Sequence, residues 1–484
     1  MEKENHLCSA NAGGFYNELW RPQYHFSAKQ CWVNDPNGLV YYKGVYHLYY
    51  QCVPDSNECT SGDMHWGHAT STDLIRWTEH QPVLFPDKVG KMWSGTGAVD
   101  KYNTSGFFGD TEDGAGIVIA YSTNTQHIGI AYSKDGGFTF TKVSETEPVV
   151  AHPEGVTEFR DPHIFYYPED KKWKMVVAGG LVRIYESEDL VHWTACGEAQ
   201  EEYRTECPNL IRMKVVGTDE EKWVLSLGGR GYVVGSFDGK RFSGETDVID
   251  MNDGPDTYAG ITFSDMPDGR TVMISWMNRW WYAKNVEGIW SGCFALPVEQ
   301  RLFKIKDSYR LIQTPVKEVE TLRRRLILEE HNKVYSKGED PLAVIRSNTC
   351  EILLTLDFER SSGFEIDLCV GDGDRSSLRF IRDEMRFVFD RSESRLGIQD
   401  LKVKFNPREF VIPRDSIKDG LLSLRLFIDK ANVELYVNGG YNYFVERIQP
   451  SDDSRGMSLS ADGSIAVESL QIYELDSIWN NKVR

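Results

Sequence analysis

Three acidic residues, each beside or near a proline, occur in order along a strand-rich chain. Asp35 lies in residues 32–38 (WVNDPNG), Asp161 in 159–162 (FRDP) and Glu206 in 205–209 (TECPN). Carboxylates can act as nucleophile, general acid or general base when a fold brings them together. The NDPNG segment by itself is typical of a plain turn. With two further acidic motifs of the same kind, the sequence predicts one assembled site.

The segments around Asp35 indicate which kind of element must position it. Tyrosine-rich runs with strand character lie on both sides of the motif. Pro36 fixes φ and Gly38 allows the chain to bend. We therefore expect the Asp35 carboxylate at a junction between a strand and a turn.

A short motif recurs along the first 311 residues, which are rich in short runs of Val, Ile, Tyr and Trp. Its copies begin at Ser71, Ser133, Ser187 and Ser236, so they are 62, 54 and 49 residues apart. One turn plus several strands at that spacing is what a propeller blade requires. A fifth blade is implied if the first strands close onto the last, around residues 271–277. The spacing alone allows four to six blades.

The pattern changes near residue 315. Residues 318–326 have helical character and dense charge, which predicts a linker over 315–337. Beyond it hydrophobic residues alternate with period two, as at Ile352, Leu354 and Leu356, which predicts a β-sandwich over 338–484. The predicted organisation is thus an N-terminal extension (1–20), a propeller (21–314), the linker and the sandwich.

The composition restricts the classes of partner. A formal charge of −19 argues against nucleic acid and anionic membranes, which select basic surfaces, and fits a neutral ligand such as a sugar. No apolar run approaches the length of a membrane span. His65 and His68 are three residues apart, but nothing adjacent completes a metal site, so we expect neither metal nor cofactor.

The cysteines and the N-terminal residues bear on the compartment. Nine cysteines without a CxxC pair favour free thiols, with a Cys52–Cys59 disulfide as the less favoured alternative. The N-terminal residues contain no apolar signal region, so the cytoplasm is the expectation. A trimmed leader would leave the same sequence, and the glycosylation acceptor at Asn103 keeps secretion open.

The three acidic motifs together resemble those of glycoside hydrolase family 32, the β-fructosidases: invertases, levanases, inulinases and sucrose-6-phosphate hydrolases. The resemblance covers nearly the whole chain and implies an all-β fold, a five-bladed β-propeller followed by a C-terminal β-sandwich. Further matching segments are 46–51 (YHLYYQ), 65–69 (HWGHA), 93–96 (WSGT), 275–277 (SWM) and 313–318 (QTPVKE).

The resemblance also implies roles for the carboxylates. Asp35 matches the nucleophile, Glu206 the general acid/base and Asp161 the stabiliser of the transition state. Cleavage with retention requires nucleophile and acid about 5–5.5 Å apart, and the inner strands of a propeller can bring them together. The substrate contacts implied position by position are Asn34, Gln51, Trp66, Trp93, Ser94, Arg160, Asp256, Tyr258 and Trp276.

Structural roles are the alternative for several of these contacts. A salt bridge is the alternative for Arg160. A buried tryptophan is more often part of a core than of a ligand wall, and Gln51 stands where a strand could end.

Some positions depart from the family pattern. Val33 replaces the usual Met, Val298 stands where Arg is usual, and residues 52–64 form a slightly longer loop without the usual Trp. These changes leave the reaction type in place but question ordinary invertase specificity. Residues 21–26 (RPQYHF) and 390–394 (DRSES) resemble levanase-like members.

We therefore expect a retaining, exo-acting β-fructosidase whose partner is a small carbohydrate. Two alternatives stay open: a fructosyltransferase that uses the same residues, and a non-catalytic fructan-binding protein or sensor. The intact acidic triad argues against the second. The sequence leaves the preferred fructoside and the presence of a homodimer undecided.

Overall fold

A computed structural model describes residues 15–201, 203–278, 280, 288–394 and 406–479 of the chain. Nearly all of its regular structure is β-strand, in agreement with the all-β prediction. Residues 1–14 of the predicted extension lie outside the described residues, whereas Tyr16 and Trp20 are buried. Within the described ranges, no helix is long and apolar enough to cross a membrane.

The strands before residue 316 form successive groups of four antiparallel neighbours. The first two groups are β1 (Cys31–Tyr42), β2 (Val45–Val53), β3 (His65–Ser71) and β4 (Thr78–Leu84), then β5 (Met92–Asp100), β6 (Gly116–Thr123), β7 (Ile128–Ser133) and β8 (Thr141–Lys142). The next two are β9 (Arg160–Tyr167), β10 (Lys172–Ala178), β11 (Arg183–Ser187) and β12 (Thr194–Ala199), then β13 (Asn209–Lys214), β14 (Glu221–Leu227), β15 (Gly231–Phe237) and β16 (Arg241–Gly244).

The last group of this half follows a short strand, β17 (Ile249–Asp250), which pairs with β15. It consists of β18 (Tyr258–Thr262), β19 (Thr271–Trp276), β21 (Val298–Ile305) and β22 (Ser308–Pro315), while β20 (Trp290–Ser291) pairs with β1. A bridge between Val40 and Ser264 also joins the first group to the last. Five groups that close in this way are what a five-bladed propeller requires.

The recurring motif forms the turn between the third and fourth strands of the first four groups. In the third group the Asp189 carboxylate accepts the backbone N–H groups of Val191 and His192, at 3.0 and 2.8 Å, and the Ser187 hydroxyl at 3.1 Å. Asp73 accepts from the corresponding residues of the first group. The motif recurs because a short Asp side chain satisfies the backbone donors of this turn.

The second half of the chain forms two packed sheets, as predicted for the sandwich. One sheet has the order β23-β33-β24-β29-β30-β31 and the other the order β28-β27-β26-β25-β32. Their strands are β23 (Arg323–Ser336), β24 (Thr349–Asp357), β25 (Phe364–Val370), β26 (Arg375–Ile381), β27 (Arg386–Glu393), β28 (Arg408–Val411), β29 (Leu421–Asp429), β30 (Asn432–Val437), β31 (Asn442–Arg447), β32 (Gly456–Ala461) and β33 (Ser464–Leu475). Short 3-10 helices span Lys317–Leu322, Arg382–Glu384 and Arg414–Ser416.

The predicted linker of residues 315–337 needs a correction. Helical structure ends at Leu322, and Arg323 begins a 14-residue strand that pairs with β33 along its length. The three consecutive arginines are therefore part of the sandwich. Arg323 reaches across β33 to Glu351 of strand β24, at 2.7 Å. Long-range pairing thus overrides the local helical preference.

The two halves share a hydrophobic core. Tyr24 and Phe26 of the first half lie in one cluster with Phe427 and Tyr436 of the sandwich. Within it His25 is fully buried, and its ring nitrogens lie 2.8 Å from Asp429 Oδ2 and 3.0 Å from Glu434 Oε1. Burial opposes protonation, but the hydrogen bonds to both carboxylates raise the pKa of His25 to about 9.

Candidate active site

The inner strands β1, β5, β9 and β18 each carry a β-bulge where the sequence predicts a site residue. The ladder slips by one residue between Val33 and Pro36, between Met92 and Gly95, and beside Asp161 in β9. A bulge redirects a side chain out of the regular alternation. The bulges therefore direct the predicted side chains toward the same end of the propeller.

Asp35 is nine-tenths buried and held by side-chain donors. Ser94 Oγ donates to its Oδ2 at 2.6 Å, and Asn34 Nδ2 donates to its Oδ1 at 3.1 Å. Burial raises the pKa of Asp35 to about 6, and these two hydrogen bonds keep it from rising further. The carboxylate is consequently ionised at neutral pH.

A chain of hydrogen bonds orders the donors around Asp35. Trp32 Nε1 donates to Asn34 Oδ1 at 2.7 Å, Asn34 donates to Gln51 Oε1, and Gln51 Nε2 donates to Ser94 Oγ at 2.7 Å. These bonds fix which side-chain amide atom of Asn34 and of Gln51 is the oxygen and which is the nitrogen. Ser94 is left to donate its proton to Asp35, which stabilises the ionised form.

Asp161 is also nearly buried and adopts an unusual backbone conformation. Its φ is +58°, in the left-handed region that non-glycine residues seldom adopt. Its N–H donates to Ser122 Oγ at 3.1 Å, and its Oδ2 accepts the Cys207 N–H at 3.0 Å. Burial and the charge of Asp35 raise the pKa of Asp161 to about 7.

Glu206 is the most open of the three carboxylates, with 38% of its side chain exposed. Arg160 Nη2 donates to its Oε1 at 2.9 Å, and the Tyr258 hydroxyl donates to its Oε2. Arg160 Nε also lies 3.9 Å from Asp161 Oδ2. Arg160 therefore links two carboxylates of the site as a salt-bridge partner, and its contact with a ligand stays a prediction.

Cys207 brings the three carboxylates into one site. Its Sγ lies 3.7 Å from Asp35 Oδ2 and 3.6 Å from Asp161 Oδ2, and the preceding residue is Glu206. Its own φ of +44° is again in the left-handed region. Strained backbone of this kind concentrates at functional sites, where the surrounding structure maintains it.

Two of the three tryptophans predicted as contacts are enclosed by protein. Trp66 is fully buried and donates to the Trp93 carbonyl at 2.9 Å. Trp276 is fully buried between Trp32 and Trp280, with ring centroids 6.1 and 4.9 Å away. Trp93 is half-buried. The tryptophans other than Trp93 thus support the wall of the site from behind.

Asp256 does not join the other predicted contacts. It is fully buried, and its Oδ2 accepts from Arg391 of the sandwich at 2.8 Å. In this structure the carboxylate forms a buried ion pair between the two halves, and its contact with a substrate stays a prediction.

Sequence reasoning gave no role to several residues of the site. Trp32 and Cys207 lie inside the acidic motifs, so proximity to Asp35 and Glu206 could have signalled them. Ser122 had no signal beyond being a polar residue at the end of an apolar strand. Trp280 is half exposed and stacks on Trp32 at 5.9 Å.

The loop that departs from the family pattern lies near Asp35. Burial and the charge of Asp35 raise the pKa of the Cys59 thiol to about 11. The Trp32 N–H donates to the Ser56 carbonyl at 2.6 Å, and Asn57 donates to the Gly288 carbonyl at 2.7 Å. Cys52 and Cys59 are free thiols, as are all eight cysteines in the described part of the chain, which agrees with the prediction.

A separate cavity of about 530 Å³ lies further along the inner strands, lined by residues such as Thr96, His163 and Thr262. Burial lowers the pKa of His163 to about 3, so it is neutral. The cations on the lining pair with neighbouring acids, as Lys101 does with Asp265. The charged residues of this lining are thus used in ion pairs, and the carboxylate end of the propeller stays the candidate chemical site.

The site places an ionised buried carboxylate near a solvent-open one, and a pair of carboxyl groups is what most glycoside hydrolases use. In the described ranges, including this site, no group of three His, Cys, Asp or Glu side chains is arranged to hold a metal ion.

Comparison with known proteins gives the family. Sequence models of the "Glycosyl hydrolases family 32 N-terminal domain" and the "Glycosyl hydrolases family 32 C terminal" match residues 25–315 and 318–474. The chain belongs to glycosyl hydrolase family 32. The fold predicted for that family, a β-propeller followed by a β-sandwich, is confirmed.

Two relatives of this chain are named as fructan-degrading enzymes. A levanase of Bacillus subtilis is 36% identical over 98% of this chain and 73% of its own length. A fructan beta-fructosidase of Streptococcus mutans is 33% identical over 97% of this chain, which spans 34% of that protein.

Among solved structures, exo-inulinase from Aspergillus awamori superposes with a TM-score of 0.86 at 27% identity, covering 96% of this chain and all of the other. The β-fructofuranosidase of Schwanniomyces occidentalis in complex with fructosyl-erythritol gives a TM-score of 0.82 at 25% identity, covering 97% of this chain and all of the other.

Proposed function

We propose that this protein is a retaining β-fructosidase that releases terminal β-D-fructofuranosyl units from sucrose, fructo-oligosaccharides or fructans. The observation that carries the proposal is the position of Cys207. Its thiol lies within 3.7 Å of both Asp35 and Asp161, while the adjacent Glu206 opens to solvent. The three carboxylates thus lie around one residue, which we infer is close enough for them to act on one sugar ring.

Asp35 is the nucleophile in this proposal. It is buried, ionised above about pH 6 and held by Ser94 and Asn34, so it meets the requirements of a positioned carboxylate. It attacks the anomeric carbon of the fructosyl unit as the glycosidic bond breaks, which gives a covalent fructosyl-enzyme.

Glu206 is the general acid and base. Its exposure allows it to give a proton to the departing oxygen and later to take one from the attacking water. Arg160 and Tyr258 hold its two oxygens and orient it toward the ring. Water then cleaves the fructosyl-enzyme and regenerates the Asp35 carboxylate.

Asp161 stabilises the positive charge that develops on the fructosyl ring and accepts hydrogen bonds from ring hydroxyls. Cys207 and Ser122 fix its carboxylate and its backbone. Asn34, Gln51, Trp93 and Arg160 complete the contacts with the fructosyl unit.

The substrate we propose is the end of a β-fructan chain. The relatives named levanase and fructan beta-fructosidase support it, and so does the altered loop beside Asp35. Initial rates on sucrose, sucrose 6-phosphate, inulin and levan, measured side by side, test this choice. Higher kcat/KM on sucrose than on both fructans would contradict it.

The catalytic assignment is tested with Asp35→Asn and Glu206→Gln. Each substitution preserves shape and removes the chemistry, so kcat should fall by about 10²–10⁴-fold or more. Glu188→Gln, at a carboxylate with 82% exposure, is the matched control. Fructose release near the parent rate by either site variant would refute the assignment.

Product analysis separates the two alternatives. In hydrolysis of concentrated sucrose, glucose and fructose appear in equal amounts, and the fructose is first released in its β-furanose form. An excess of glucose over fructose would indicate a fructosyltransferase. Fructan binding without any turnover would indicate a binding protein.

A further inference from the structure

Strand β31, at the edge of one sandwich sheet, holds the propeller loop of residues 251–257, which leads into the active site at Tyr258. The Asp253 N–H donates to the Tyr443 carbonyl at 2.8 Å, and the Asp256 N–H donates to the Val445 carbonyl at 3.3 Å. A Cβ on Gly254 would lie 2.1 Å from the Val445 oxygen, so the two backbones touch. Strand β31 is the last of its sheet, and the loop covers its open edge.

Arg391 of the sandwich fixes the side chain of the same loop. Its Nη1 donates to Asp256 Oδ2 at 2.8 Å, and its Nε lies 2.6 Å from Glu446 Oε1. The Arg447 N–H donates to the same Asp256 oxygen at 2.8 Å. The side chains of Arg391, Asp256 and Glu446 are at most 3% exposed, and burial raises the pKa of Glu446 to about 8. Buried ion pairs of this kind add little stability compared with apolar packing. What this pair does is fix the position of the loop.

Tyr258 follows Asp256 by two residues and starts strand β18. It pairs with Trp276, but the next pair is Ile261 with Ile274, because a bulge at Ala259 interrupts the ladder. Ala259 itself has a φ of +53°. Since the ladder is broken directly after Tyr258, the anchored loop before it determines where its hydroxyl points. That hydroxyl donates to Glu206 Oε2.

We propose that Arg391 is a positioning residue for hydrolysis: by holding Asp256 it fixes the Tyr258 hydroxyl against Glu206. The inference rests on the proposed function, in which Glu206 is the acid and base. It gives the sandwich a part in catalysis, since one of its side chains sets the alignment of a carboxylate in the propeller.

Three variants test the proposal: Arg391→Lys, Tyr258→Phe and the double variant. Lysine keeps the positive charge, but its single ammonium group cannot contact Asp256 and Glu446 at the same time, as the guanidinium group does. We expect Arg391→Lys to lower kcat by about 10-fold, with KM changed by less than about threefold, because alignment of the acid is lost rather than binding. The basic limb of the pH profile should move in the same direction as in Tyr258→Phe. The double variant should be no worse than Tyr258→Phe, since both act on one interaction.

Arg425→Lys is the matched control, because Arg425 pairs with buried Glu351 inside the sandwich, at 2.7 Å, away from the loop. It should leave the pH profile unchanged. If Arg391→Lys does not fold, Asp256→Asn replaces it, because the amide keeps the acceptor but weakens the hold of Arg391.

An unshifted pH profile, or losses that add in the double variant, would show that Arg391 is only structural. That result would leave the roles of Asp35 and Glu206 standing. Full activity of Asp35→Asn would instead overturn the proposed function itself.

Discussion

At the scale of single residues, the site places several carboxylates close together and buries two of them from solvent. Asp35 and Asp161 are both nearly buried and share the Cys207 thiol as a neighbour. Burial raises the pKa of each, and each carries a cost of ionisation that the fold must offset. Donors from Ser94, Asn34 and the Cys207 amide supply part of that compensation. The site therefore trades stability for reactivity.

Asp161→Asn should make the protein more stable and nearly inactive. The pKa of Asp161 is about 7 in the folded state and near 3.8 when unfolded, so its charge destabilises the fold above about pH 7. That cost shrinks as the pH falls toward 3.8 and is absent below it. We expect a gain of about 1–4 kcal/mol at pH 8 and a loss of about 10²–10³-fold in kcat.

Melting temperatures of this variant and the parent at pH 8 and pH 4 check the prediction. The difference should be positive at pH 8 and close to zero at pH 4. Asp219→Asn, at an exposed carboxylate, should show no such dependence. An Asp161→Asn variant that melts below the parent at pH 8 would contradict the argument.

At the scale of elements, two devices shape the propeller. Bulges on the inner strands direct the functional side chains, and Asp-capped turns close the outer hairpins. The turn at Asp189 shows the second device, with donors from Ser187, Val191 and His192 around one carboxylate. Because most of the capping hydrogen bonds come from backbone N–H groups, the same short Asp motif suits each turn and recurs in the sequence. The bulges have no such recurring motif.

Asp189→Ala should weaken its hairpin without affecting catalysis. Loss of the capping acceptor leaves two backbone N–H groups without their partner, at a cost of about 1–2 kcal/mol. The pKa of Asp189 is lowered to about 2, against the effect of its burial, by hydrogen bonds from His192 and Val191. The capping contribution is thus present above about pH 4 and lost as the pH falls through 2.

Thermal melting at pH 7 and kcat on the preferred fructoside test this prediction together. Glu188→Ala changes the neighbouring exposed carboxylate and is the control. If the Asp189→Ala protein melts at the same temperature as the control, the turn does not depend on its cap.

At the scale of the whole molecule, the two halves are joined by buried charge as well as by apolar surface. His25 lies between Asp429 and Glu434 of the sandwich, and Glu434 also accepts the Leu296 N–H at 2.8 Å. Arg391 and Asp256 form a second buried link near the active site. We therefore expect the propeller and the sandwich to unfold together.

His25→Gln should remove a stabilising contribution that depends on pH. The pKa of His25 is about 9 when folded and near 6.5 when unfolded, so its stabilisation is complete below about pH 6.5 and lost as the pH rises through 9. The variant should be less stable by about 3–5 kcal/mol at pH 6, because two buried carboxylates lose a charged partner.

The gap in melting temperature between parent and His25→Gln should narrow between pH 7 and pH 10. His331→Gln, at a half-exposed histidine, serves as the control and should show a constant gap. A His25→Gln gap that stays constant over this range would mean that His25 is neutral in the fold.

The sequence by itself determined the family, the all-β class and the three carboxylates, because each depends on a local motif: an acid beside proline, a turn capped by Asp, or strict alternation of hydrophobic residues. Only the tertiary structure decided that Asp256 faces Arg391 of the sandwich, that Trp66 lies behind the wall of the site, that Ser122 supports Asp161 and that residues 323–336 form a strand. Those outcomes depend on partners far away in the chain, such as the 135 residues between Asp256 and Arg391. Local residue types specify what a side chain can do, and long-range packing specifies what it meets.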